Sequence, residues 1–130
     1  MQRILIVDDE VKICEMLGKF FRHLGFAVES TTSPVDALKQ VEQRRPDLLL
    51  LDVRMSPLSG LDVLRRVKHI DPNLRVIMVT ALDDAEIAQE ALALGAIDYV
   101  TKPLSLNTKW WAERFFGLPD TSVPPPAAAT

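Results

Sequence analysis

The sequence predicts a doubly wound α/β domain, in which a five-stranded parallel sheet is covered by five helices. Short apolar runs alternate along the chain with segments in which apolar residues recur at helical spacing. The runs are apolar throughout, which is typical of strands buried on both faces of a parallel sheet. Polar residues follow most of the runs directly, as expected where functional side chains gather at the carboxyl ends of the strands.

Five strands and five helices can be placed from this alternation. We expect strands near residues 3–7, 26–30, 48–52, 75–80 and 97–101. The segments between them are predicted to form helices over residues 11–24, 34–45, 59–70 and 83–94, with a fifth helix after Ser105 that stops near Gly117. Each strand–helix–strand connection is expected to be right-handed.

Capping residues mark the starts of several predicted helices. Ser33 is expected to cap the second helix. Ser59 and Asp62 have the spacing of a capping box at the third helix, and Asp83 and Glu86 repeat that spacing at the fourth. These residues can satisfy backbone N–H groups that have no partner within the first helical turn.

The chain divides into one domain, residues 1–117, and a tail or linker, residues 118–130. The second part is rich in proline and alanine, and such a composition cannot build a packed core. The first part is long enough for one hydrophobic core.

Composition excludes several classes of protein. The net charge of −3 gives no reason to expect direct nucleic-acid binding by this chain. No apolar stretch approaches the about 20 residues needed to cross a bilayer, so no membrane partner is expected. Cys14 is the single cysteine, which excludes an internal disulfide and favours a cytoplasmic location.

Acidic, hydroxyl and cationic residues follow four of the predicted strands. In chain order these residues are the pair Asp8 and Asp9, then Asp52, Thr80 and Lys102. Because parallel strands end at one edge of the sheet, the five side chains should converge on one cleft. This set suits a carboxylate that accepts a phosphoryl group while a divalent metal and a lysine neutralise the charge.

These residues, together with Tyr99 and Pro103, resemble the pattern of the receiver domain of two-component response regulators. The segment from Asp52 to Met55 and the Gly60 that follows it are also similar to that family. The similarity extends over about residues 2–106. It implies a flavodoxin-like fold with strand order 2-1-3-4-5, and a phosphorylation-controlled switch rather than an enzyme with a substrate of its own.

The resemblance also implies roles at the cleft. Asp52 is the expected phosphoacceptor, and Lys102 and Thr80 act with it in phosphoryl transfer. Mg²⁺ is the expected cofactor, held directly by Asp9, Asp52 and the backbone carbonyl of Arg54, and through water by Asp8.

The resemblance implies a conformational switch and a set of partners as well. Thr80 is expected to move toward the phosphoryl group and Tyr99 to turn inward, which remodels the surface of helix 4, strand 5 and helix 5 for dimerisation or partner binding. The bond before Pro103 is expected to be cis. The implied partners are a histidine kinase or a phosphotransfer protein, and a second copy in a homodimer.

The loop after the phosphoacceptor departs from the family pattern. Proline usually follows the methionine directly, whereas here Ser56 separates Met55 from Pro57. Arg54 and Leu82 flank the cleft in the resemblance, and we expect them to screen the acyl phosphate from water and slow its hydrolysis.

Each site residue has an ordinary structural alternative, since an aspartate can cap a helix and a lysine can lie in solvent. Two other functions are alternatives, and the first of them uses similar groups. An aspartyl-phosphate hydrolase of the haloacid dehalogenase type would carry its nucleophile after strand 1 and a second acid two residues later. A flavodoxin-like cofactor binder would need a loop rich in Ser, Thr and Gly there. Instead, Asp9 and Glu10 follow Asp8, and the isolated acid follows strand 3.

Four aromatic residues stand close together in the fifth helix: Trp110, Trp111, Phe115 and Phe116. They exceed what one core-facing stripe needs. The sequence leaves two interpretations open, one in which a second stripe covers the tail and one in which it mediates dimerisation or docking.

Overall fold

The computed structural model describes residues 2–80, 85–104 and 106–116. The predictions made for Leu82, Asp83, Ser105 and the tail at residues 118–130 fall outside these ranges. No helix within them is long and apolar enough to cross a membrane.

The described chain alternates strands and helices in the predicted order. The strands are β1 (Arg3–Val7), β2 (Ala27–Thr31), β3 (Leu48–Asp52), β4 (Arg75–Thr80) and β5 (Asp98–Thr101). The helices are α1 (Val11–His23), α2 (Pro34–Arg44), α3 (Gly60–Ile70), α4 (Ala85–Ala93) and α5 (Thr108–Trp111), which continues as a π-helical turn over Ala112–Phe116. The strands form one parallel sheet in the order β2-β1-β3-β4-β5, which confirms the predicted fold.

The sheet is covered on both faces by apolar side chains that alternate along each strand. In β1, Ile4 and Ile6 face the core built with α1 and α5, whereas Leu5 and Val7 face the core built with α2, α3 and α4. These four side chains of β1 are at most 2% exposed. Burial on both faces explains why β1, β3 and β4 appear in the sequence as continuous apolar runs.

The predicted caps of α2 and α3 are confirmed. The Ser33 hydroxyl accepts the N–H of Asp36 at 3.1 Å. The Ser59 side chain accepts the N–H of Asp62, whose carboxylate accepts the N–H of Ser59 in return. α2 ends at Arg45, a non-glycine residue with a φ of 47°.

The fifth helix differs from the prediction in its form. It begins at Thr108 and is capped by the Asn107 side chain, which accepts the N–H of Trp110 at 2.9 Å. It changes to π-helical hydrogen bonding at Ala112. The Arg75 side chain, which extends from the start of β4, donates to the carbonyl oxygen of Phe115. A contact between β4 and the π-helical turn is not visible in local sequence patterns.

Candidate functional site

Three polar side chains are buried within the described residues, and all three were predicted as site residues. Asp8 is 2% exposed, Asp52 is 5% exposed and Thr80 is 2% exposed. Burying a carboxylate is unfavourable unless a charge or hydrogen-bond donor compensates for the lost water. The burial of these three polar side chains at neighbouring strand ends therefore indicates a polar site, because elsewhere in the described sheet apolar side chains fill the interior.

The register of the sheet brings the predicted residues together. Val7 of β1 pairs with Leu51 of β3, so Asp8 and Asp52, each the next residue along, lie at neighbouring strand ends. The N–H of Lys102 donates to the carbonyl oxygen of Thr80 at 2.9 Å, which aligns the end of β5 with the end of β4. The Lys102–Pro103 peptide bond is cis, as the resemblance implied.

The ammonium group of Lys102 lies among three carboxylates. Its Nζ atom is 3.2 Å from Asp8 Oδ2, 3.6 Å from Asp52 Oδ2 and 3.7 Å from Glu10 Oε1. The Lys102 side chain is 27% exposed, so the cleft is open to solvent on its side. The cation thus stands where it can neutralise groups added to either buried aspartate.

Burial and charge shift the protonation of these groups. Burial, followed by repulsion from Asp8, raises the pKa of Asp52 to about 6. Burial also raises the pKa of Asp8. For Lys102, burial acts to lower the pKa, but the carboxylates of Asp52 and Asp8 outweigh it and the pKa is raised. Two carboxylates that repel each other in a buried site favour an added cation.

The acidic end of the cleft suits a hard cation. One carboxylate oxygen from each of Asp8, Asp9 and Glu10 can lie within 4.8 Å of the others. An all-oxygen donor set beside open solvent is the type that Mg²⁺ prefers, because Mg²⁺ keeps several of its waters. Asp52 does not belong to this group of three, and Glu10 is a neighbour that the sequence-based metal set omitted. Its position directly after the two aspartates is the signal that could have included it.

The loop after Asp52 is fixed by close backbone packing. The N–H of Gly60 donates to the carbonyl oxygen of Val53 at 2.8 Å, and a Cβ atom at Gly60 would lie 2.2 Å from the carbonyl oxygen of Asp52. Glycine therefore allows the start of α3 to rest on the end of β3. The N–H of Arg54 also donates to Asp52 Oδ1 at 3.4 Å, and the unexpected loop residue Ser56 precedes Pro57 in a second cis bond.

The two predicted switch residues lie on one face of the sheet. Met78 pairs with Tyr99 and Thr80 pairs with Thr101, so Thr80 and Tyr99 are diagonal neighbours on the side of α2, α3 and α4. Thr80 is buried, whereas Tyr99 is half-buried at the edge of that core.

Two aromatic residues of α5 lie in the core, so among its described aromatic side chains Trp110 is the one that remains for a second, partly exposed stripe. Trp111 is fully buried and packs edge-on against Phe21 of α1 with ring centroids 5.1 Å apart. Phe115 is 4% exposed, whereas Trp110 is half-buried beside it. Most of the described aromatic surface belongs to the core shared with α1. The sequence analysis did not pair the aromatic residues of α5 with the phenylalanines of α1, which provide the surface on which Trp111 packs.

Comparisons with known proteins identify the family of the chain. Residues 4–108 match the family model described as the response regulator receiver domain. The chain is 40% identical over 104 residues to the transcriptional regulatory protein ZraR of Salmonella typhimurium, a match that covers 80% of this chain and 24% of that protein. It is 37% identical over 106 residues to sporulation initiation phosphotransferase F of Bacillus subtilis, covering 82% of this chain and 86% of that one.

Solved structures give the same result. A CheY-like response regulator receiver domain protein from Methanospirillum hungatei superposes with a TM-score of 0.78 at 28% identity, covering 82% of this chain and 85% of that chain. The receiver domain of NtrX from Brucella abortus superposes with a TM-score of 0.76 at 31% identity, covering 79% and 88%. The hydrolase alternative finds no support in these matches. The chain therefore belongs to the response regulator receiver domains, which are regulatory domains of phosphorylation-controlled signalling.

Proposed function

We propose that Asp52 accepts a phosphoryl group from a histidine kinase or a phosphotransfer protein, and that Mg²⁺ is required. The observation that carries this proposal is the placement of the Lys102 ammonium group between the buried carboxylates of Asp8 and Asp52. A buried carboxylate beside a mobile cation can exchange part of its interaction with lysine for an interaction with the incoming phosphoryl group.

The transfer forms one bond and breaks another. A carboxylate oxygen of Asp52 attacks phosphorus, the new O–P bond makes an acyl phosphate, and the P–N bond to the donor imidazole breaks. The imidazole nitrogen keeps the bonding electron pair and takes a proton from solvent. Lys102 can then pair with the negative charge of the phosphoryl group, since its Nζ atom is already 3.6 Å from Asp52 Oδ2. Asp52 must be ionised to attack, and a pKa of about 6 leaves it mostly ionised at neutral pH.

Asp8, Asp9, Asp52 and the backbone carbonyl of Arg54 are the groups we assign to Mg²⁺. When bound, the ion neutralises charge on the transferring phosphoryl oxygens. Glu10 lies close enough to this set to bind one of the waters of the ion, since its carboxylate groups with those of Asp8 and Asp9.

The proposed output is a change at the surface formed by α4, β5 and α5. A phosphoryl oxygen on Asp52 gives the Thr80 hydroxyl a new acceptor, and a shift of Thr80 opens space that the ring of Tyr99 can enter. Homodimerisation through this surface is part of the proposal. Sedimentation with and without a stable phosphoryl mimic tests it, and a monomer in both states would contradict it.

The first experiment measures phosphoryl acceptance directly. The protein is incubated with acetyl phosphate and Mg²⁺, and its intact mass is recorded by mass spectrometry. We expect the mass of one phosphoryl group to be added, and we expect the addition to disappear in Asp52→Asn and after chelation by EDTA. Asp71→Asn is the matched control, because an asparagine oxygen can still accept the N–H of Asn73 that Asp71 accepts. Equal phosphorylation of Asp52→Asn would place the acceptor elsewhere.

A further inference from the structure

A groove on the surface lies between the edge strand β5 and helix α5, away from the acidic cleft. It has a volume of about 340 Å³, and its lining includes Tyr99, Pro103, Leu104, Trp110 and Arg114. β5 ends the described sheet, so its outer side has no neighbouring strand there. The lining combines aromatic and aliphatic side chains with polar groups, among them Thr101 and the cation of Arg114.

The groove is held in shape by contacts that do not involve any ligand. Arg114 donates from Nε and Nη2 to Asp98 Oδ2, each at 2.9 Å, and its guanidinium lies 5.0 Å from the centre of the Trp110 ring. Trp110 in turn packs edge-on against the buried Trp111 at 5.0 Å. A surface that is already formed binds a partner without the cost of ordering its side chains.

The tail of the chain has the chemistry that such a groove recognises. It carries Pro119 and the run Pro124–Pro126, and proline-rich segments in a polyproline II conformation dock on aromatic-lined grooves at low entropic cost. Its one charged side chain is Asp120, opposite in sign to Lys109 and Arg114 of the fifth helix.

The tail is also long enough to reach the groove. Residues 117–123 separate the end of the π-helical turn at Phe116 from the proline run. These residues span up to about 23 Å when extended, whereas the helical segment Thr108–Phe116 is about 13 Å long. A tether of this length keeps the tail at an effective concentration near about 1 mM, which makes even weak docking significant.

We propose that the proline-rich tail, residues 118–130, docks in the groove between β5 and α5 of its own chain. The tail covers Trp110 and the exposed side of Tyr99, and so occupies part of the α4–β5–α5 surface that the proposed function assigns to output.

Tryptophan fluorescence reports on the groove, because Trp110 lines it and Trp111, the second of the two tryptophans, is fully buried. Acrylamide quenching is measured on the full chain without Mg²⁺ or a phosphoryl donor, so the result does not depend on phosphorylation. Replacing Pro124, Pro125 and Pro126 together by glycine should raise the quenching constant roughly two-fold, because the population with a covered groove falls. Replacing Ala127, Ala128 and Ala129 by glycine is the matched control and should leave it unchanged.

Two further arms separate the outcomes. In a Trp110→Phe background the effect of the proline substitutions should vanish, since the remaining Trp111 is buried. A synthetic peptide of residues 118–130, added to the triple-glycine variant at millimolar concentration, should restore protection. Equal quenching with and without the prolines would overturn the proposal. Protection that grows with protein concentration would also overturn it, because the tail would then bind a second copy.

Discussion

In the absence of metal, the surroundings of Asp52 disfavour the charged form of its carboxylate. Its carboxylate is buried, Asp8 repels it, and Lys102 compensates only in part, so its pKa rises from 3.8 to about 6. A group whose pKa is higher in the folded state binds protons more readily there than in the unfolded chain. The fold therefore loses stability as the pH rises from about 4 through about 6. The binding site is kept ready for a cation at the expense of stability.

This linkage predicts the effect of neutralising Asp52. In the absence of metal, Asp52→Asn should raise the free energy of unfolding at pH 7.5 by about 3 kcal/mol, and the gain should disappear below about pH 3, where Asp52 is protonated in both states. Urea denaturation at the two pH values measures this. Asp71→Asn, a change at a half-buried carboxylate on a different loop, is the control. A lower stability of Asp52→Asn at pH 7.5 would contradict this prediction. It would mean that the attraction between Lys102 and the Asp52 carboxylate outweighs the cost of burying that carboxylate beside Asp8.

Arg54 is predicted to affect the lifetime of the phosphorylated state. Its backbone N–H already contacts Asp52, and its exposed side chain stands at the mouth of the cleft. Arg54→Ala should speed the hydrolysis of the acyl phosphate, because water then reaches phosphorus more easily. The decay of phosphorylated protein after removal of the donor measures this, and an unchanged rate would contradict the prediction.

At the scale of elements, Gly60 links the start of α3 to the phosphoacceptor strand. A Cβ atom there meets the backbone of Asp52 and Val53, which cannot move without displacing the Asp52 side chain. Gly60→Ala should therefore lower the free energy of unfolding by about 1–3 kcal/mol and slow phosphoryl acceptance.

Gly18 in α1 provides the matched comparison. A Cβ atom at Gly18 meets only the flexible end of Arg22, at 3.2 Å. Gly18→Ala should leave phosphorylation unchanged and raise stability by up to about 1 kcal/mol, since alanine favours a helix interior. Urea unfolding and the acetyl phosphate assay measure both variants. Equal behaviour of the two alanine variants would mean that the β3–α3 contact does not position Asp52.

The elements differ in how far they could be predicted. β1, β3 and β4 are continuous apolar runs, so their positions follow from composition alone, and the caps at Ser33 and Ser59 depend only on residues three positions away. The α5 segment was harder because its form depends on Arg75 and Asp98, which are distant in sequence. At the site, Glu10 was omitted from the metal set because that set followed the family pattern, although the position of Glu10 directly after Asp8 and Asp9 is a local signal that could have included it.

At the scale of the whole molecule, stability depends on whether α5 is anchored in the α1 face of the sheet. Trp111 is fully buried against Phe21 and Phe115, whereas Trp110 is half-buried at the surface. Trp111→Ala should lower the free energy of unfolding by about 3–5 kcal/mol, a large part of the total for a domain of this size. Trp110→Ala should cost less than half as much.

Urea unfolding followed by circular dichroism measures both tryptophan variants. If Trp111→Ala does not fold, Trp111→Phe and Trp110→Phe give a milder test, and the loss of stability should again be larger at Trp111. Similar losses at the two positions would mean that α5 is held by its surface contacts, such as the pair of Arg114 with Asp98, rather than by its buried ring.

The two faces of the sheet are completed at different times during synthesis. The core under α2, α3 and α4 has all of its described buried side chains once Ala96 has been made, whereas the core under α1 still lacks Val100, Trp111, Ala112 and Phe115. A nascent chain that ends before these residues leaves Phe21 without its contact to Trp111 and leaves the core under α1 only partly covered. Such a chain is a candidate for chaperone binding, because transiently exposed apolar surface promotes aggregation. Synthesis of α5 therefore determines when the core under α1 is completed.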